Sequence, residues 1–241
     1  NITPIRNRDN LRIYGQSQGT GTASISGGNE AANSLQIYGG IINVTGEITC
    51  PTGGVGIYGG NVTAAGIDVF RGLNFTGGTI TAGTLQVSEE GNITLAGATV
   101  KANSYNVKNG NVTILTGITY YDGTGASYTE GNLSADQISG IAGKKLRTYD
   151  YRTVSYVKAD GTTATADAIP LTSGGATTLA GGWYVAQGTV NYTGCVTLNG
   201  DVNLILADNA VVNIGTSSDR ISNDYCIWGG INSLTIYGQS T

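Results

Sequence analysis

Four times the chain writes nearly the same phrase: Leu11-Arg-Ile-Tyr-Gly15, Leu35-Gln-Ile-Tyr-Gly39, Val55-Gly-Ile-Tyr-Gly59 and Leu234-Thr-Ile-Tyr-Gly238. The first and last copies both continue into Gln-Ser, at Gln16-Ser17 and Gln239-Ser240. A short apolar strand that ends on glycine and returns at a fixed interval is the mark of a solenoid, in which each repeat buries its apolar face only against its neighbours.

Weaker relatives extend the series. Leu35, Val55, Leu73, Ile93 and Val112 open strands whose starts lie 20, 18, 20 and 19 residues apart. A second short strand follows each, as in Ile42-Asn-Val-Thr, Asn61-Val-Thr-Ala, Thr79-Ile-Thr-Ala, Thr99-Val-Lys-Ala and Ile118-Thr-Tyr-Tyr. A third follows in most turns, as in Glu47-Ile-Thr-Cys, Gly66-Ile-Asp-Val-Phe, Leu85-Gln-Val-Ser and Ser104-Tyr-Asn-Val-Lys. Three strands and glycine-rich corners in a period near 19 predict an all-β chain, a right-handed parallel β-helix of roughly ten coils. Alternation sets the faces. Leu35 and Ile37 point inward and stack on Val55 and Ile57, then Leu73 and Phe75, then Ile93 and Leu95. Gln36 and Tyr38 point outward. A sandwich or antiparallel barrel would show hairpin turns and no fixed period.

The period breaks near Lys144. Two alternating strands, Tyr151–Lys158 and Thr162–Ile169, flank Asp160-Gly161 and predict a β-hairpin. Coil-like sequence resumes at Trp183, Val196 and Leu204, with Val185 and Leu204 again 19 residues apart. The expected organisation is coils over 1–146, a hairpin and loop over 147–180, and further coils over 181–241. The stretch from Gly215 to Gly230 is longer than a corner needs and predicts a bulging loop.

Composition narrows the function classes. The 241 residues include 39 Gly but only 3 Pro, which excludes collagen and proline-rich linkers. Twelve Lys and Arg against 16 Asp and Glu leave no basic stripe for nucleic acid. No apolar run approaches the ~20 residues that span a bilayer. With no Met and no leader-like segment, the sequence reads as a mature or excised segment of an exported protein. Cys50, Cys195 and Cys226 lack zinc spacing and read as small hydrophobes inside coils, with a Cys195–Cys226 disulfide as the weaker reading.

The recurrent outward feature is aromatic. Tyr14, Tyr38, Tyr58 and Tyr237 hold the same slot of their phrases, and Gln16, Gln36 and Asn61 lie beside them in sequence. Stacked rings flanked by amides offer a carbohydrate platform; the plainer reading is cross-strand packing. Catalysis finds less support. Histidine is absent, the outward row Gln36, Asn74, Thr94 and Thr113 carries no carboxylate, and Asp68 with Arg71 and Glu89-Glu90 read as solvated corners. Asp201 and Asp208 read as corner caps sooner than calcium ligands. The Asn-x-Ser/Thr triplets fall at strand starts in step with the coil, as corner chemistry does. No cofactor or metal is expected.

Three motifs carry a family resemblance: Gly181-Gly-Trp-Tyr-Val-Ala186, Gly200-Asp-Val-Asn-Leu-Ile-Leu-Ala-Asp-Asn209 and Leu234-Thr-Ile-Tyr-Gly-Gln239. In this order they resemble surface-exposed, pectin-lyase-like β-helix proteins of gut bacteria, with departures at Ala186 and Asn209. The likeness covers mainly residues 148–241 and the coil at 11–28. It implies an extracellular or cell-surface location and a carbohydrate-binding or adhesin-like module, with a polysaccharide or host glycan as partner; the alternative is a polysaccharide lyase or hydrolase of this fold. In the family the Leu-Thr-Ile-Tyr-Gly-Gln strand comes early in a module. Its place at the end here implies a module junction, with tandem modules or end-to-end self-association.

Overall fold

The computed structural model describes residues 10–14, 24–27, 30–31, 34–215 and 226–240. The chain is all-β, with parallel stacked coils forming a β-solenoid of about nine turns. It divides into two units, residues 1–122 with 126–149, and residues 123–125 with 150–241.

In the first unit the repeated phrase forms one sheet of stacked short strands, Asn10–Ile13, Ser34–Ile37, Gly54–Ile57, Gly72–Phe75, Ile93–Leu95 and Val112–Ile114. Each pairs in parallel with the next, and Leu35, Val55, Leu73, Ile93 and Val112 lie in one row. The aliphatic and aromatic side chains at the inward positions fill the coil; Ile37, Ile57, Phe75 and Leu95 are fully buried. Burial of this continuous apolar column is what stabilises strands too short to persist alone.

The second sheet departs from expectation. In the early coil Ile41–Val44 and Glu47–Cys50 are separate strands, but later coils fuse the second and third strands into Asn61–Val69, Thr79–Glu90 and Thr99–Asn109. The corner survives as a phase change. Ile80 and Ala82 are buried, then Leu85 and Val87, so alternation skips one residue at Gly83-Thr84. The backbone ladder continues through the bend, with Thr84 opposite both Gly66 and Ser104. Glycine or small residues at these corners let a strand turn without breaking its hydrogen bonds.

The parallel stack also ends earlier than expected. Ile118 is not on a strand, and Tyr120–Tyr121 forms a short antiparallel pair with Ser127–Tyr128. Tyr120 instead turns inward as a plug: its Oη accepts from Gly97 N at 2.8 Å and donates to Ala98 O at 3.0 Å. A helix at Ala135–Ile141, which the strand periodicity did not predict, follows a capping box between Ser134 and Gln137. Leu133, Ile141 and Leu146 join the core there, while Gly131–Asn132 and Lys145–Leu146 cover two strand edges in antiparallel fashion. Covering an edge this way stops further strand addition.

Two buried phenols make this end sensitive to alkali. Burial raises the Tyr105 hydroxyl well above its ordinary range, with Tyr120 adding to the shift, and burial pushes Tyr120 up to about 12. Both phenols stay neutral in the fold, whereas in the unfolded chain they ionise near pH ~10. Their contribution is therefore complete below about pH 10 and is lost as pH rises through the folded values. Among the described residues, Tyr105 Oη has no hydrogen-bond partner. Tyr105→Phe is expected to raise stability at pH 7 by about 1 kcal/mol and to soften the fall above about pH 10, measured by urea unfolding across pH.

The second unit holds the predicted hairpin, Arg152–Val157 against Thr163–Pro170, closed by Gly161 N donating to Lys158 O at 2.9 Å. Its coils run through Thr178–Ala186, Val196–Leu206 and the strands Ile227–Trp228 and Leu234–Gly238. Thr189–Tyr192 pairs in parallel with Val211–Ile214. The expected 19-residue match of Val185 with Leu204 is off by one. Ala180 pairs with Asn199, but Gly182 pairs with Val202, so the offset grows from 19 to 20 at this irregularity. Tyr184 therefore stacks inside on Leu204, and Val185 faces the other way beside Ile205. A one-residue slip changes every face. Cysteine burial is mixed: Cys50 is buried, but Cys195 and Cys226 are exposed because they sit at corners beside the coil and not at inward strand positions. Most of the loop expected between Gly215 and Gly230, residues 216–225, lies outside the described residues.

Candidate functional site

The parallel register of the first sheet places equivalent side chains one above another. Arg12, Gln36, Gly56, Asn74, Thr94 and Thr113 form one outward row. Two residues on, Tyr14, Tyr38 and Tyr58 make an aromatic ladder. The rings of Tyr14 and Tyr38 stack at 4.9 Å and 6°, and those of Tyr38 and Tyr58 at 4.8 Å and 11°. These spacings equal the separation of paired strands, so the ladder is dictated by the backbone repeat.

The ladder has a polar foot. Gln36 Oε1 accepts from Arg12 Nε at 3.0 Å and from Tyr38 Oη at 3.2 Å. Gly56 stands in the same slot as Arg12 and Gln36, and the Tyr58 ring occupies the space its missing side chain leaves: an added Cβ would lie 2.9 Å from the ring. All three tyrosines are exposed, at 64%, 40% and 41%. The next position in the row is Thr76, whose Oγ1 turns back to donate to Ile57 O at 3.2 Å. No ring therefore covers the far face of Tyr58 from that position.

The other expected site residues fare differently. Gln16 lies outside the described residues. Asn61 is exposed but opens the next strand beyond the Gly59-Gly60 corner, on the neighbouring sheet and not in the row of Gln36. Tyr237 is not part of the ladder. It belongs to the second unit and packs with Tyr156 at 4.8 Å and Trp183 at 5.2 Å, while its Oη donates to Asn203 Oδ1 at 3.4 Å. The same phrase gives a different environment because the hairpin covers this outward face: Val154, Ala168, Val185 and Ile205 form a small core, with Tyr156, Trp183 and Tyr237 partly buried against it.

Arg12 and Gly56 were legible as partners of the ladder, since both occupy the Gln36 slot of aligned phrases. The aromatic cluster around Trp183 was legible only with the correct 20-residue offset.

The corner carboxylates are engaged in local bonds. Asp201 Oδ1 accepts from Ser233 N at 2.8 Å, and this bond, with one from the Ser233 hydroxyl, holds the Asp201 carboxyl below its ordinary value. Asp208 Oδ1 accepts from Ser240 Oγ at 2.7 Å. Glu89 pairs with Lys108 at 2.8 Å, and Ser88 Oγ donates to Asp68. Phe70, Arg71, Glu89 and Glu90 line an open depression of about 600 Å³. Among the described residues, no group of three or more His, Cys, Asp or Glu could hold a metal ion. No helix among them is long and apolar enough to cross a membrane. Set against known proteins, the chain matches no family model, and no curated protein or solved structure is significantly similar to it.

Proposed function

We propose that this chain is a non-catalytic structural or adhesive module of the cell surface or extracellular space that binds carbohydrate along its tyrosine ladder. The observation that carries the reading is the exposed stack of Tyr14, Tyr38 and Tyr58 above the Arg12–Gln36 foot. Stacking consumes the facing surfaces of the rings. What remains for a ligand is a row of ring edges, with phenol hydroxyls spaced at the coil repeat beside the Arg12 guanidinium. A linear polysaccharide presents apolar sugar faces and hydroxyls in such a row, so an extended chain is the ligand that uses both. The low-charge outer surface, rich in Thr and Asn, and the resemblance to bacterial surface β-helix proteins support the location.

The test is a glycan array followed by calorimetry on the best ligand. Tyr58→Ala is expected to weaken binding about tenfold, equal to ~1.4 kcal/mol, and Tyr38→Ala/Tyr58→Ala to abolish it. Binding that survives the double variant would refute the ladder as the site. New reducing or unsaturated ends in the incubated polysaccharide would mark the chain as a degrading enzyme instead.

A further inference from the structure

The register of the second unit brings two thiols together. Cys195 stands immediately before the strand Val196–Leu206, and Cys226 immediately before Ile227–Trp228. These strands pair in parallel with Val196 opposite Ile227, which sets Cys195 opposite Cys226 in successive coils. The pairing reaches the cysteines themselves, since Val196 N donates to Cys226 O at 2.9 Å. Opposite residues of paired strands lie about 4.8 Å apart, inside the Cα separation of about 4.4–6.8 Å that a disulfide spans. Val196 points inward and is buried, so the slot before it points outward. Both cysteines leave the coil on that side, and both are exposed.

The corners leave room for the sulfurs to meet. Gly194 precedes Cys195, and nothing lies within 4 Å of the position its Cβ would take. Gly215 has a φ of 82°, and its added Cβ would lie 3.2 Å from Cys226 Sγ. The Cys226 thiol thus rests beside a residue with no side chain, where rotation about χ1 can swing it toward Cys195. Cys50 has no such access: it is buried in the core of the first unit.

We propose that Cys195 and Cys226 are an oxidant-reactive dithiol site whose disulfide staples successive coils of the second unit. The co-reactant is a small-molecule disulfide such as oxidised glutathione. The thiolate of one cysteine attacks its sulfur–sulfur bond, forms a protein–glutathione bond and expels one glutathione thiolate. The thiolate of the other cysteine then attacks the protein sulfur, forms the Cys195–Cys226 bond and expels the second glutathione. Two protein thiols are oxidised, one glutathione disulfide is reduced, and the two cysteine protons pass to the departing glutathione thiolates. The bond ties the two-residue strand Ile227–Trp228 to Val196–Leu206 and closes the intervening coil into a covalent loop. Such a loop restricts the unfolded chain, so oxidation stabilises the unit.

The test incubates the reduced full chain in glutathione buffers, then quenches with acid and alkylates the remaining thiols. Cleavage after Arg220 puts Cys195 and Cys226 on separate peptides, so mass spectrometry reads the bond directly. The expected product is a Cys195–Cys226 linked pair with Cys50 alkylated, formed even when reduced glutathione is in about tenfold excess over oxidised. Oxidation is expected to raise the melting temperature of the second unit by about 5–15 °C. Cys195→Ser and Cys226→Ser should each abolish that rise and leave a single glutathione adduct on the remaining exposed cysteine. Glutathione on both cysteines, or no reaction in oxidised glutathione alone, would show that the sulfurs cannot meet and would overturn the proposal. Linked dimers whose share rises with concentration would place the reaction between chains, and a linked pair without a rise in melting temperature would show no staple; either result also overturns it. Glycan binding enters none of these outcomes.

Discussion

Phe75→Ala is expected to destabilise the first unit by about 3–5 kcal/mol, among the largest losses any single truncation in this chain can produce. Phe75 is fully buried and sits between Ile57 below and Leu95 above, each in register with it. The cost of such a truncation depends on how far the surroundings collapse into the space left. Here they cannot collapse far. The strands on both sides are fixed by backbone hydrogen bonds at the coil spacing, including Thr76 N to Ile57 O at 2.9 Å and Ala96 N to Phe75 O at 2.9 Å. Phe75→Leu keeps most of the volume and should cost less than about 1.5 kcal/mol. Calorimetry or urea unfolding checks both, and equal losses for the two variants would show that the column is not tightly packed.

Gly91→Ala is expected to cost about 2–4 kcal/mol although it adds only a methyl group at a corner. The residue has a φ of 138°, and its added Cβ would lie 1.4 Å from the carbonyl oxygen of Arg71 in the preceding coil. Two effects therefore add: a backbone conformation that L side chains rarely adopt, and a clash with backbone that cannot swing aside. Gly117→Ala separates them. Gly117 also has a positive φ, at 81°, but nothing lies within 4 Å of its Cβ position. Its substitution should cost about 1 kcal/mol, the conformational part alone. If Gly91→Ala proved no worse than Gly117→Ala in urea unfolding, close coil approach at the corner would be refuted.

The features most legible in the sequence were those repeated by the lattice. Leu35, Val55, Leu73, Ile93 and Val112 could be aligned by eye because an inward position that recurs every coil must be apolar in every coil. The tyrosine ladder followed from the same alignment. Features outside the lattice were obscure. The helix at Ala135–Ile141 announced itself only by Ser134 and Gln137, a capping pair easily lost among the many Ser and Thr of this chain. Fusion of the second and third strands was hidden because Gly83-Thr84 and Asn103 read as corners, whereas the ladder bends through them. Tyr237 shows the limit of phrase matching. Its strand copies that of Tyr14, but its surroundings are set by a hairpin some 70–85 residues earlier.

The column of strands from Asn10–Ile13 to Val112–Ile114, each stacked in register on the last, underlies the ladder. It is tested most directly by pulsed electron spin resonance with nitroxides at Gln36 and Thr113. Both are on the outward row that runs through Gly56, Asn74 and Thr94. Four coil steps predict a separation near ~19 Å, and moving the second label from Thr113 to Thr94 should shorten it by about 5 Å. A separation beyond about 30 Å, or one that does not shorten with that move, would contradict the stacked coil.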